Sequence, residues 1–172
     1  MFIPPTRRSS RHLAGKKVLI VDDEPDVLES LVELLDMCRT ETAADFETAE
    51  KLLNTNTYDI AVLDIMGVQG YDLLAIAGKR GIPALMFTAH ALSPEAFDKS
   101  LEGGAKAYIP KEKMSEIASY VAELLTELHE GIEKPTNWFS RLKSYFSSQF
   151  GYDWQSKTAE FRKKYDHLDF DD

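Results

Sequence analysis

Residues 18–25 read VLIVDDEP, four apolar β-formers closed by two aspartates, with Pro25 just beyond. So short a run, apolar at successive positions, reads as a strand buried on both faces, and a proline right after it is placed to open a helix. The construction recurs. Residues 60–63 (IAVL) stop at Asp64, 84–87 (ALMF) at Thr88, and 107–110 (AYIP) at Lys111. In an open α/β sheet of parallel strands the carboxyl ends form the ligand crevice, so these polar residues should converge although they span about ninety positions.

The intervening segments carry helical periodicity. Pro25 opens a helix whose stripe is Val27, Leu28, Leu31, Leu34, Leu35 and Cys38, and Asp45 caps the next, with Ala49, Leu52 and Leu53. A third helix carries Leu73, Leu74 and Ile76 and stops at Gly81. Ser93 and Pro94 start a fourth that ends at Gly103 and Gly104. The fifth runs from about Met114 to His129, with Ile117, Val121, Leu124, Leu125 and Leu128 on one face. Five alternations of strand and helix make a doubly wound, three-layer α/β sandwich the natural architecture.

Composition bounds the function. The 172 residues are 44% apolar, enough for one ordinary core and an appendage. No apolar stretch approaches a membrane span, so a cytoplasmic protein is expected. The single cysteine, Cys38, reads as a small core residue of a reducing compartment. Residues 1–17 carry five basic residues and no acid, residues 18–134 a net charge of −14, and residues 135–172 none. An acidic centre argues against a nucleic-acid face, which needs clustered Lys and Arg. Residues 1–15, with Arg7, Arg8, Pro4, Pro5, Ser9 and Ser10, read as a flexible basic leader.

Asp22, Asp23 and Asp64 in one crevice repel each other unless a hard divalent cation sits among them. Mg²⁺ is the better candidate, because it keeps waters and is held by few carboxylates together with phosphate oxygens. A carboxylate beside such an ion can attack phosphorus to give an acyl phosphate. Thr88 then offers a hydroxyl, and Lys111 a charge, to the phosphoryl oxygens. Taken singly, each residue has a plainer reading: acids at a helix start, a strand-end threonine, a solvated lysine. Their occurrence at the same ends of four strands favours the chemical one.

Four motifs, VLIVDDEP, DIAVLDIM, MFTA and AKAYIPK, resemble the receiver domain of response regulators from bacterial two-component systems, over residues 16–130. The resemblance implies a flavodoxin-like sheet in the order 2-1-3-4-5, with Asp64 as phosphoacceptor and Thr88 and Lys111 on the phosphoryl group. It implies Mg²⁺ on Asp22, Asp23, Asp64 and the backbone carbonyl of Met66, and makes Tyr108 the aromatic switch residue. A histidine kinase or phosphotransfer protein becomes the phosphodonor, and the chain a self-catalysing phosphoacceptor, not an enzyme. Three departures stand out. IMGVQGYDLL after Asp64 is two residues shorter than the family pattern and lacks its proline, and Pro110 precedes Lys111 instead of following it. Met66 and His90 fill the variable positions beside the site. The inverted pair leaves a cis peptide possible only at Ile109–Pro110.

Residues 135–172 hold 10 of the 18 aromatic residues. Gly131 and Pro135 separate this extension, 131–172, from the fifth helix. Asn137 is placed to cap a helix with Trp138, Phe139, Leu142, Tyr145, Phe146 and Phe150 on one side, and Trp154, Phe161, Tyr165 and Leu168 recur further on. So short an apolar segment needs a partner surface. The receiver itself or a second subunit comes first, then a downstream protein target, with interfacial membrane contact least supported. Two other functions compete with phosphoacceptor signalling. One is a phosphorylation-independent binding module with the same fold. The other is a small aspartyl phosphohydrolase, which normally needs an acid at the position Met66 occupies.

Overall fold

The computed structural model describes residues 11–89, 93–151, 154 and 163–170. The leader's residues 1–10, His90 and Phe161 lie outside the described residues. Five parallel strands, β1 (Lys17–Val21), β2 (Arg39–Ala43), β3 (Ile60–Leu63), β4 (Ala84–Thr88) and β5 (Ala107–Pro110), form one sheet in the order β2-β1-β3-β4-β5. The four apolar runs are β1, β3, β4 and β5, and the last three are buried along their whole length. The fifth strand, RTETA, is at the edge. It is only partly covered, so it needs no apolar run.

Helices α1 (Pro25–Leu34), α2 (Phe46–Thr55), α3 (Gly70–Lys79), α4 (Pro94–Glu102) and α5 (Ile117–His129) connect or follow the strands. Asp45 and Ser93 cap α2 and α4, accepting from the Thr48 and Ala96 backbone N–H groups. Two boundaries differ from the sequence reading. α1 ends at Leu34, and Cys38 lies beyond it in the turn into β2, half-buried, its thiol pushed up to about 11 by burial and by the nearby charges of Asp36 and Asp59. Residues Lys111–Glu116 form a 3₁₀ turn, with Lys113 at φ −97° and ψ 19°, so α5 starts only at Ile117. The Ile109–Pro110 peptide is trans.

The extension folds back on the α/β sandwich. Helix α6 (Asn137–Phe150) packs against α5 and β5, and Trp138, Phe139, Leu142 and Phe146 of its inner face are buried. Phe146 is central, with ring centroids of Phe97 at 5.3 Å, Phe150 at 5.5 Å and Tyr108 at 6.0 Å. Asn137 is not the cap of α6. The buried carboxylate of Glu127, on α5, accepts from the backbone N–H groups of Thr136 (2.9 Å) and Asn137 (3.3 Å), satisfying the helix start across the interface. Arg141 reaches Glu116 at 3.0 Å and Glu123 at 3.2 Å, and its guanidinium stacks 3.8 Å from the Tyr120 ring centre. Further along, the Tyr165 hydroxyl donates to Asp98 Oδ1 at 2.8 Å.

Candidate functional site

Register explains why the site assembles. Val21 pairs with Leu63 across β1 and β3, so the next residues, Asp22 and Asp64, emerge side by side. Leu63 pairs with Met86, and Thr88 with Pro110, which sets Thr88 at one strand end and Lys111 just past its neighbour. Carboxylate oxygens of Asp22, Asp23 and Asp64 lie within 4.8 Å of one another. Asp22 and Asp64 are 1% and 2% exposed, whereas Asp23 is open to solvent.

Lys111 bridges the two buried acids, with Nζ 2.7 Å from Asp22 Oδ2 and 3.2 Å from Asp64 Oδ2. The remaining oxygens are held by backbone: Glu24 N–H donates to Asp22 Oδ1, and Ile65 N–H to Asp64 Oδ1, both at 2.9 Å. Burial first, then the charge of Asp22, pushes the Asp64 carboxyl above the usual carboxylate range against the pull of Lys111. Burial acts to lower the Lys111 ammonium, but the close ion pair with Asp22 and the charges of both acids outweigh it and raise the group overall. Lys111 therefore stays charged. Thr88 Oγ1 is buried and has no hydrogen-bond partner among the described residues.

Of the residues expected from the sequence, Asp22, Asp23, Asp64 and Lys111 converge, and Thr88 ends the adjoining strand. Met66 follows Asp64 by two residues with its side chain 53% exposed. Tyr108 is apart from the acids: its ring is buried edge-on to Phe97 at 5.5 Å. Two glycines of the short loop went unassigned in the sequence. Gly67, at φ +80°, lies against the Asp23 carboxylate, which a Cβ would overlap; a Cβ at Gly70 would overlap the Asp64 backbone. The signal was present as two glycines three residues apart directly after Asp64.

The donor set suits a hard cation. Three carboxylates against one ammonium leave two negative charges, all ligand atoms are oxygens, and exposed Asp23 leaves one side open to water, as Mg²⁺ prefers.

A family profile described as the response regulator receiver domain matches residues 18–122. The chain is 30% identical over 110 residues to the transcriptional regulatory protein TcrA of Mycobacterium tuberculosis (strain ATCC 25618 / H37Rv), covering 60% of this chain and 43% of that protein. It is equally identical over 110 residues, at 30%, to the two-component response regulator ARR18 of Arabidopsis thaliana, covering 60% of this chain and 17% of that one. The chain thus spans less than half the length of these curated relatives. Its structure resembles the crystal structure of a CheY-like response regulator receiver domain protein from Methanospirillum hungatei JF-1, with TM-score 0.63 and 29% identity, covering 69% of this chain and 99% of that one. Plant as well as bacterial relatives carry the domain, so membership does not by itself assign a bacterial source. The profile match over more than half the chain agrees with the sheet order and with the fold of the Methanospirillum hungatei domain: the chain belongs to the response regulator receiver domain family of two-component signalling.

Proposed function

We propose that residues 16–130 accept a phosphoryl group on Asp64 from a histidine kinase or phosphotransfer protein, with output through protein contacts involving residues 131–172. Asp64 Oδ attacks phosphorus, the new O–P bond replaces the donor's N–P bond, and the histidine nitrogen leaves with a proton. The observation that carries this reading is the buried Asp64 carboxylate bridged to Asp22 by Lys111, near the Thr88 hydroxyl, which has no hydrogen-bond partner among the described residues. Asp22, Asp23, Asp64 and the Met66 carbonyl would hold Mg²⁺, which supplies charge neutralisation for the phosphoryl oxygens. Lys111 and Thr88 then hold two of those oxygens, while the Ile65 N–H keeps the carboxylate oriented. The protein is a phosphoacceptor and not a turnover enzyme. Among the described residues no helix is long and apolar enough to cross a membrane, and the inner face of α6 is covered by protein.

Asp23 is exposed, so Asp23→Ala should leave the fold intact while weakening Mg²⁺ binding on the order of tenfold or more, since it removes one of three charged ligands. Calorimetric Mg²⁺ titration checks it, and the Mg²⁺ requirement of phosphorylation should rise in parallel. Unchanged affinity would remove Asp23 from the ligand set. Gly67→Ala should act on the same carboxylate from outside: the new Cβ meets Asp23 at a backbone conformation that costs a non-glycine residue roughly 1–2 kcal/mol. Both lower Mg²⁺ affinity and a small loss in melting temperature are expected, whereas a variant with native affinity would show that the loop can shift away.

A further inference from the structure

At the amino end of β5, the end opposite Lys111, the sandwich and the extension border a cavity of about 350 Å³. Its apolar wall is made by Leu101, Ala105, Pro135 and the rings of Trp138 and Tyr165. Both rings have their polar atoms engaged elsewhere. The Trp138 indole N–H donates to the Pro135 carbonyl at 2.9 Å, and the Tyr165 hydroxyl donates to Asp98 Oδ1 at 2.8 Å. The charged residues around the cavity are unequal: the ammonium groups of Lys106, Lys134 and Lys164 face the carboxylates of Glu102 and Glu133. Lys164 is taken up at the rim by Asp98 (3.1 Å) and Glu102 (3.2 Å). Lys106 donates to the Glu133 backbone carbonyl at 2.9 Å, which occupies one of its three donors and leaves its charge uncompensated. Among the described residues, neither Lys106 nor Lys134 has a carboxylate within ion-pair distance. His167 lines the same cavity. Its Nδ1 is buried with no hydrogen-bond partner among the described residues, and burial together with the Lys134 charge holds the imidazole below its ordinary range, so the ring is neutral at pH 7.

We infer that this cavity is a binding site for a small organic monoanion with a flat apolar body, an aryl carboxylate in its simplest form. The charge follows from the lining. With Lys164 paired, Lys106 and Lys134 stand against Glu133 alone, an excess of one positive charge, which suits a carboxylate better than a phosphate dianion. The body follows from the wall, where the surfaces of Trp138, Tyr165 and Pro135 offer ring contacts. Small-molecule sites are hollows of this size, mostly apolar, with a few placed polar groups. An imperfectly filled junction between two parts of the chain would supply the hollow, but it does not explain why two uncompensated ammonium groups and an unsatisfied imidazole nitrogen meet there. In the occupied site the ligand carboxylate accepts charge-assisted hydrogen bonds from Lys106 and Lys134, and His167 adds a donor in the tautomer that carries its proton on Nδ1. Residues from both sides of the junction line the cavity, so a bound ligand also stabilises the seated extension by mass action. The site shares no residue with the acids at the other end of the sheet, and the inference does not rest on the phosphoacceptor reading.

The test titrates the full chain with three probes, followed by the NMR shifts of its backbone amides and of the Trp138 indole N–H. The probes are 2-naphthoate, its uncharged amide 2-naphthamide of nearly the same shape, and acetate, which has the charge without the body. Naphthoate should bind with a dissociation constant of roughly 0.1–1 mM, moving the signals of Lys106, Lys134, His167 and Trp138 together. The amide should bind about tenfold more weakly or worse, because it loses the charge-assisted bonds, and acetate should not saturate in the same range. Lys106→Gln and Lys134→Gln should each weaken naphthoate by about fivefold or more and leave the amide unaffected. Lys134 is exposed and holds no ion pair among the described residues, so its variant keeps the fold even if loss of the Lys106 bond to Glu133 loosens that turn. Asp64→Asn should bind naphthoate like the unaltered chain. Equal affinity for naphthoate and the amide would reduce the cavity to an apolar hollow and overturn the proposal. So would undiminished binding in both lysine variants, shifts centred elsewhere, or no saturable shift with naphthoate at about 10 mM, far above the expected constant.

Discussion

Asp64→Asn is expected to lower phosphoryl incorporation from acetyl phosphate and Mg²⁺ by roughly a thousandfold or more, because it removes the attacking oxygen anion while leaving the pocket's shape. The substitution is nearly isosteric. The amide oxygen retains a place for the Ile65 N–H, which now donates to Asp64 Oδ1, and Lys111 retains Asp22 at 2.7 Å. Loss of labelling therefore reports chemistry and not unfolding, and an unchanged melting profile would confirm that control. Labelling that persists at a similar rate would place the nucleophile on another residue, with the exposed Asp23 the first to examine.

The second large effect concerns stability. Phe146→Ala deletes a fully buried ring at the centre of the cluster formed with Phe97, Tyr108, Phe139 and Phe150. A cavity of that kind costs about 3–5 kcal/mol. At about 2–4 °C per kcal/mol for a chain of this size, the melting temperature should fall by roughly 6–20 °C. The loss should appear in near-UV circular dichroism as well, since both tryptophans described, Trp138 and Trp154, touch Phe146. A melting curve indistinguishable from that of the unaltered chain would contradict docking of α6 on the receiver. An early transition confined to the extension, followed by an unaltered receiver transition, would show that the extension unfolds as its own unit.

The parts of the fold that sequence periodicity captured are those where one local rule is enough. The strands β1, β3, β4 and β5 are continuous apolar runs because they are buried on both faces. The site was legible for the same reason, since each run stops where the chain turns polar at the crevice. Asp45 and Ser93 were legible as caps because an N-cap acts within its own turn. Features that depend on a distant partner were hidden. The helix start at Asn137 is satisfied by Glu127, ten residues earlier on another helix, so its own side chain is not needed as a cap. The stripe of α6 announced burial without naming its partner, which the structure identifies as Phe97 and Tyr108. Gly67 has no role visible in the sequence, because the Asp23 carboxylate it lies against is distant in the chain. The 3₁₀ turn after β5 was read as the first turn of α5, because its composition suits either form.

The central claim, phosphoryl acceptance at Asp64, is tested most directly by mass spectrometry on the full chain after treatment with acetyl phosphate and Mg²⁺. Borohydride reduction converts an aspartyl phosphate to homoserine and so marks its position for peptide mapping. The expected result is one phosphoryl adduct per chain, dependent on Mg²⁺, with the reduced residue at position 64. An adduct mapped to a different residue, or none under conditions where the protein is folded and Mg²⁺ is bound, would contradict the account.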